Sequence, residues 1–128
     1  MRVVKRKDID PQPANRPIFM NDVKSHQLAD KSTAEQLTLG WVQFAPNART
    51  KWHTHPFEQG LVIVEGKGIV ATESAEHVVE PGDVVVVPAG EKHWHGGSET
   101  TGMAHISIAG GPGDSVVLEP VDEVKTKV

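Results

Sequence analysis

Short runs of β-branched and apolar residues, broken at close intervals by glycine and proline, follow one another from Gln36 onward. Each run is long enough for a strand and too short for a helix, which is typical of an all-β sandwich or barrel. We predict eight strands, over residues 36–44, 49–55, 61–64, 68–72, 77–79, 84–87, 93–96 and 103–108. Eight strands are enough for two packed sheets.

The run over residues 84–87 is four valines in a row, without the alternation of a half-exposed strand. A continuously apolar strand is typical of a position buried on both faces. We therefore expect this strand at the centre of the fold, followed by a turn at Pro88 to Gly90.

The length of the chain, 128 residues, is that of one domain with a single core. We expect an N-terminal arm and irregular segment over residues 1–34, a barrel core over 35–112 and a C-terminal tail over 113–128. Residues 11–34 have a mixed pattern that supports at most a loop with one turn of helix. Val3 and Val4 are expected to form a short edge strand that pairs with a neighbouring subunit, so we expect a homodimer.

Composition excludes several classes of function. The chain has no cysteine, which excludes disulfides, thiolate catalysis and zinc fingers, so any metal is held by nitrogen and oxygen. A net charge of -4 with dispersed basic residues argues against nucleic acid as a partner. Residues 1–10 include basic side chains but no apolar stretch, so we expect no membrane association and a cytoplasmic protein.

Five of the seven histidines fall in three of the predicted strands: His53, His55, His93, His95 and His105. Residues two apart in a strand project from one face, so His53 and His55 point together and make half of a metal site. The alternative is an ordinary pair of surface histidines. His105 lies on a polar face that is either solvated or turned toward a polar interior. His26 and His77 have no such context, and we expect them at the surface.

Two segments around these histidines resemble the paired motifs of the cupin superfamily, G(x)5HxH(x)3,4E(x)6G and G(x)5PxG(x)2H(x)3N. The first is NARTKWHTHPFEQGLVIVEG, from Asn47 to Gly66, and the second is GDVVVVPAGEKHWHGG, from Gly82 to Gly97. The spacings match throughout. Asn47 replaces the first glycine, and asparagine tolerates positive φ nearly as well. Gln59 replaces the acidic ligand, and Gly97 replaces the final asparagine.

The resemblance implies a double-stranded β-helix, or jelly-roll, with one divalent metal held by His53, His55, Gln59 and His93. Glu58 is a rival for the third ligand, because a carboxylate is the better donor to a hard cation. The motif spacing favours Gln59, since Glu58 lies one position early and would face the other way.

A closer resemblance is to the small manganese-dependent bacterial hydroxynitrile lyases of this superfamily. It rests on FAPNARTKWHTHP and PGDVVVVPAGEKHWHGGSETTGMAHISI. It implies manganese, with iron, nickel, cobalt, copper or zinc as alternatives, and His105 as the base that acts on a cyanohydrin hydroxyl. His95 is a second candidate for the pocket. Phe57 and Glu58 stand where such relatives tend to have a small residue and glycine.

Three classes of function follow from this pattern. The first is a lyase or isomerase that acts on a small hydroxylated or carbonyl compound, favoured because Gln59 leaves the ion's charge uncompensated. The second is a metal-dependent dioxygenase. The third is a non-catalytic cupin that binds a small ligand.

Overall fold

The computed structural model describes all 128 residues as thirteen strands and a single 3-10 turn at Arg6–Asp8. The strands are β1 (Gln12–Pro13), β2 (Phe19–Met20), β3 (Val23–Ala29), β4 (Leu37–Phe44), β5 (Arg49–Thr50), β6 (His53–Thr54), β7 (Gln59–Gly66), β8 (Gly68–Thr72), β9 (Glu76–Val79), β10 (Val84–Val87), β11 (His93–Gly97), β12 (Met103–Gly110) and β13 (Val116–Val117). The chain has no helix with the length and apolar character needed to span a membrane.

The strands form two antiparallel sheets. One sheet has the order β1-β3-β4-β12-β7-β10, and the other has the order β13-β6-β11-β5-β2, with β8 paired to β11 and β9 paired to β8. Strands that are distant in sequence lie side by side, as β4 and β7 do on either side of β12. The all-β jelly-roll predicted from the sequence is confirmed.

The main apolar core lies between the sheets at one end of the barrel. Its largest members include Phe44 on β4, Ile63 on β7 and Met103 on β12. Side chains alternate along a strand, so the inward positions that follow on β12 are His105 and Ser107. The inward side chains along β12 therefore change from apolar to polar.

The terminal segments cover the outer faces of both sheets. On the first sheet, Ile9 packs against a buried cluster that includes Trp41, and the Arg6 guanidinium lies 4.5 Å from the centre of the Trp41 ring. On the second sheet, Val121 joins a buried cluster around Trp94. Each outer face thus buries apolar residues without needing a second domain.

Residues 11–34 differ from the sequence prediction, because they contain β1, β2 and β3 rather than a loop with a turn of helix. β3 pairs along most of β4. Its two buried residues, Val23 and Leu28, belong to clusters on opposite sides of the sheet. The strand therefore has no one-sided apolar alternation, which is the signal that sequence analysis uses.

The strand β10 has the predicted bounds but not the predicted burial. It pairs only with β7 and lies at the edge of its sheet, with Val84 and Val86 65% and 69% exposed. The prediction of a strand buried on both faces is wrong, because no terminal segment covers this end of the outer face. Val3 and Val4 are also exposed and form no strand within the chain.

The turns explain the departures from the cupin motifs. Asn47 has a φ of 62°, so the asparagine adopts the left-handed conformation expected of the glycine that it replaces. Gly97 occupies a crowded site, where an added Cβ atom would lie 2.6 Å from the Ala45 carbonyl oxygen. An asparagine at this position does not fit the backbone of this chain.

We predict that Gly66→Ala destabilises the fold much more than Gly82→Ala. Both glycines have positive φ, which costs about 1–2 kcal/mol for alanine. Only at Gly66 would the new Cβ meet backbone, 1.9 Å from the Gly102 carbonyl oxygen, whereas nothing lies within 4 Å at Gly82. Overpacking adds about 1–3 kcal/mol at Gly66. Urea unfolding of the two variants measures the difference, and equal losses would contradict the steric argument.

Candidate metal centre

Three buried histidines meet at the polar end of the barrel. His53 begins β6, His55 follows this strand, and His93 begins β11 directly opposite His53. The ring centroids of His53 and His93 are 4.2 Å apart, and those of His55 and His93 are 4.9 Å apart. The structure therefore brings together three of the four side chains predicted as ligands, from both motifs.

Backbone carbonyls fix the orientation of each ring. The Nδ1 atoms of His53, His55 and His93 lie 2.9, 2.8 and 2.8 Å from the carbonyl oxygens of Lys51, Phe57 and Glu91, respectively. A carbonyl oxygen only accepts hydrogen bonds, so each neutral ring must carry its proton on Nδ1. Each Nε2 atom is consequently left with a free lone pair.

The three histidines each offer a ligand atom, and these atoms lie within 4.8 Å of one another. The Nε2 atom of His93 is buried and has no hydrogen-bond partner. Buried acceptors without partners are rare and costly in proteins. Three converging imidazole lone pairs fit a divalent transition metal, so the cluster can hold such an ion.

Burial keeps two of these rings, those of His53 and His93, uncharged. Desolvation lowers the pKa of His53 to about 4, with further lowering from repulsion by His93. Desolvation also lowers the pKa of His93 to about 4, and repulsion from His55 acts in the same direction. At neutral pH both imidazoles are neutral, the protonation state that metal binding requires.

Gln59, at the start of β7, faces this cluster. Its Oε1 atom lies 3.1 Å from the Nε2 atom of His55, and its Nε2 atom donates a hydrogen bond of 2.8 Å to the Ser107 hydroxyl. Glu58, the rival ligand, is exposed to solvent. The carboxamide thus lies beside the histidines, whereas the carboxylate faces away from the barrel interior.

His95 and His105 form a second buried pair next to the cluster. The Nε2 atom of His105 is 3.0 Å from the Nδ1 atom of His95, so one ring donates to the other. The ring centroid of His95 is 5.5 Å from that of His53. The other two nitrogens of the pair, His95 Nε2 and His105 Nδ1, are buried without partners. His95 therefore lies between His105 and the cluster.

The Phe44 ring packs against both members of this pair, with centroid distances of 5.8 Å to His95 and 5.5 Å to His105. Burial holds the pKa of His95 well below its usual value, with a further contribution from His105. Burial also lowers the pKa of His105 to about 4. The pair is consequently neutral at neutral pH and has both a proton to give and a lone pair to accept one.

A cavity of about 140 Å³ opens beside His93 and His95. Its walls include Leu61 on β7, Val70 on β8 and Val85 on β10, and it contains no lysine or arginine. His77 and Glu91 also line this cavity. A space of this size and character suits a small molecule without formal charge.

The sequence profile of the Cupin domain family matches residues 40–109, which is more than half of the chain. The chain belongs to this family. A (R)-mandelonitrile lyase from Granulicella tundricola is 50% identical over 68 residues, which cover 52% of this chain and 52% of that protein. The chain thus spans about half the length of this curated relative.

Solved structures agree on the fold of this cupin. A cupin-like protein from Thermotoga maritima is 31% identical, with a TM-score of 0.79 over 87% of this chain and 86% of that one. The polyketide cyclase RemF from Streptomyces resistomycificus has a TM-score of 0.80 over 98% of this chain and 88% of its own, at 20% identity. The second likeness concerns the fold alone.

Two features of the site were not expected from the sequence, the stacking of Phe57 on a predicted ligand and the place of His77 beside the cavity. The ring of Phe57 stacks on that of His55, with centroids 4.6 Å apart and planes inclined by 2°. His77 is exposed, as expected, but it also lines the cavity. It pairs with Val70, which pairs in turn with His95. The place of His77 beside the cavity follows from how β9, β8 and β11 pair, and the sequence of a single strand does not reveal that pairing. His26 is half-buried and accepts a hydrogen bond from the backbone N–H of Asp10.

We predict that the metal-free protein loses stability as the pH falls from about 6.5 toward 4. In the unfolded chain, histidine has its ordinary pKa of about 6.5, so the unfolded chain binds protons that the folded chain does not. The folded pKa values of His53, His93 and His105 are about 4. Above pH 6.5 these groups cause no loss of stability. Between its unfolded and folded pKa values, each group lowers the free energy of unfolding by about 1.4 kcal/mol for every unit that the pH falls.

Urea unfolding of chelator-treated protein at several pH values between about 7.5 and 4.5 measures this loss. His77→Gln is the control, since it removes an exposed histidine and leaves the buried ones in place. A free energy of unfolding that stays constant between about pH 7 and 5 would contradict the buried neutral state.

Proposed function

We propose that this cupin is a metal-dependent lyase that combines Lewis-acid and general-base chemistry on a small hydroxylated or carbonyl compound, in the manner of a hydroxynitrile lyase. The observation that carries the proposal is the buried His95–His105 pair, 3.0 Å apart, beside three histidines whose Nε2 lone pairs converge. The (R)-mandelonitrile lyase with 50% identity over 68 residues supports the same chemistry.

In this proposal His53, His55, Gln59 and His93 hold one divalent transition metal, with manganese expected and iron, nickel, cobalt, copper or zinc as alternatives. Imidazole and carboxamide are uncharged ligands in the form that binds a metal, so the ligand set does not offset the charge of the ion. When bound, the ion supplies Lewis-acid stabilisation to an anion that develops on the substrate oxygen or on the nitrile nitrogen.

The His95–His105 pair provides the base. For a cyanohydrin, an imidazole takes the hydroxyl proton, the bond between the carbinol carbon and the nitrile carbon breaks, and its electron pair leaves with cyanide. The oxygen and carbinol carbon become a carbonyl group, and the imidazolium returns the proton to cyanide. Because His95 lies closer to the cluster, we expect His95 to meet the substrate, with His105 exchanging a proton through the contact between their rings.

The cavity supports an uncharged substrate. It offers apolar walls at Leu61, Val70 and Val85 and has no lysine or arginine to bind a phosphate or carboxylate. Its volume of about 140 Å³ is below the range of about 300–1,000 Å³ for sites that hold drug-sized ligands. A substrate with few non-hydrogen atoms is therefore expected.

We predict about one transition metal per chain and metal-dependent release of an aldehyde from a small cyanohydrin. Elemental analysis of undialysed protein gives the metal content, and His53→Ala or His93→Ala should abolish both binding and turnover. Failure to bind manganese, iron, nickel, cobalt, copper or zinc would refute the metal centre. Oxygen consumption with a candidate substrate would favour the dioxygenase alternative over the lyase.

The variants His95→Gln and His105→Gln test the base. Loss of a general base typically lowers the rate about 10²–10⁴-fold, and we expect a fall of kcat in this range while the metal content stays near one per chain. His26→Gln is the control, because His26 lies on β3 outside the cavity, where it accepts a hydrogen bond from the Asp10 backbone. Full turnover in both variants would show that the pair is not the base, whereas no turnover in the unchanged, metal-loaded protein would favour a ligand-binding cupin.

We also propose a homodimer in the cytoplasm. The edge strand β10 leaves Val84 and Val86 exposed, and an uncovered edge of this kind is a template for pairing with a second chain. The N-terminal arm, with exposed Val3 and Val4, offers a further strand. Sedimentation equilibrium should give a dimer that is weakened by Val86→Lys or by deletion of the first eight residues. A monomer at micromolar concentration, or a dimer that neither change affects, would contradict these interfaces.

A further inference from the structure

The carboxamide of Gln59 is held between two partners of different character. On one side its Oε1 atom lies 3.1 Å from the Nε2 atom of His55, and on the other its Nε2 atom donates to the Ser107 hydroxyl at 2.8 Å. The His55 ring carries its proton on Nδ1, bonded to the Phe57 carbonyl oxygen. Two acceptors, with no proton between them, therefore face each other at this contact.

This orientation is the less favourable one without a cation. If the amide turned over, its NH₂ group would donate to the His55 lone pair, and its oxygen would accept from the Ser107 hydroxyl, so every atom would have a partner. The observed orientation instead presents Oε1 as an additional acceptor beside the converging histidine nitrogens. An acceptor cluster of this kind is stabilised only when a cation occupies it.

We propose that Ser107 is a positioning residue for the metal centre, which accepts a hydrogen bond from the Gln59 amide and thereby keeps Oε1 turned toward the ion. This inference rests on the proposed metal site and concerns its affinity. The role belongs to the hydroxyl oxygen as acceptor, because the Ser107 hydroxyl accepts the hydrogen bond that the Gln59 NH₂ group donates when Oε1 faces the histidines.

Strand register brings Ser107 to this position. On β12, Ser107 lies opposite Leu61 of β7, and Gln59 is two residues from Leu61 on the same face. Diagonal neighbours of this kind lie within reach of long side chains. Ser107 is also two residues from His105, so one strand supplies both the amide's partner and a member of the buried pair. Because both strands lie within a sheet, the contact has little freedom to shift.

The site also has room for a larger hydroxylated side chain. Ser107 pairs on its other side with Gly40 of β4, which has no side chain. A threonine at position 107 therefore keeps the hydroxyl, and its extra methyl group can lie over this glycine. Alanine at the same position removes only the hydroxyl.

The first experiment measures the dissociation constant of Mn²⁺ by competition with a chromophoric chelator. Partners of metal ligands typically contribute 10–100-fold to metal affinity, so we expect Ser107→Ala to weaken binding about tenfold or more. Ser107→Thr should restore most of the affinity. Ser25→Ala is the matched control, because Ser25 is a half-buried serine on β3 of the same sheet, which pairs with Val42 rather than with β7.

The second experiment places Ser107→Ala in two further backgrounds. In Gln59→Glu both carboxylate oxygens are acceptors, so either of them can face the ion whichever way the side chain is turned. Adding Ser107→Ala to this variant should therefore weaken Mn²⁺ binding much less than Ser107→Ala does beside glutamine. In Gln59→Ala there is no amide to orient, and the added change should cost nothing. A merely structural role for Ser107 would weaken Mn²⁺ binding equally in all three backgrounds.

The outcomes separate this inference from the proposed function. If the unchanged protein binds none of the transition metals, the proposed metal centre fails first. If it binds Mn²⁺ and Ser107→Ala binds it equally well, or if the loss is the same beside Gln59 and its Glu variant, the positioning role is refuted while the metal centre stands. Thermal unfolding of each metal-free variant identifies any change that reflects a damaged barrel.

Discussion

The histidine cluster depends on three hydrogen bonds from ring Nδ1 atoms to backbone carbonyl oxygens. These carbonyls belong to Lys51, Phe57 and Glu91, each two residues from its histidine, so the bond that fixes each ring lies within the same segment of chain. The consequence is chemical as well as geometric. With the proton held on Nδ1, each ring can offer only its Nε2 lone pair, and the barrel brings these lone pairs together. The protein therefore sets the tautomers before any cation arrives, and the buried Nε2 atom of His93, which has no partner, makes the metal-free state costly.

In the middle of β12, polar side chains face the interior and apolar side chains face outward, which is the reverse of the usual arrangement. Its polar residues, His105 and Ser107, face the barrel cavity, while Ala104 packs in an outer cluster with Leu28 and Trp41. This inversion is possible because the terminal segments supply a second apolar layer outside the sheets. A chain of this length can in this way keep a cavity lined with imidazoles inside its barrel and still bury enough apolar surface to fold.

Much of the barrel follows from local sequence signals, because glycine and proline mark the turns and β-branched runs mark the strands. The strands at Gly68–Thr72 and Val84–Val87 match the predicted bounds, and four others differ by one or two residues at one end. The predicted strand 49–55 is instead two short strands, β5 and β6, and β7 extends the predicted strand 61–64 at both ends. The histidines were predicted as a group because residues two apart share a face and the motif spacing relates the two segments. What the sequence leaves open depends on pairing across strands. β3 has buried residues on both faces, β10 has no neighbour on one side, and Ser107 meets Gln59 through register.

A neutral ligand set has a consequence for how folding and metal binding are coupled. An acidic ligand would pair with a bound cation, but in the metal-free state it would be a buried charge without a partner, which is very costly. With imidazoles and one carboxamide as donors, the metal-free barrel holds no buried carboxylate at this site and bears instead lone pairs such as that of the unpartnered His93 Nε2 atom, at roughly 1–3 kcal/mol each. The barrel can therefore fold before it binds metal, but the Gln59 amide still has two possible orientations. In our proposal, the single hydrogen bond to the Ser107 hydroxyl determines which of the two it adopts.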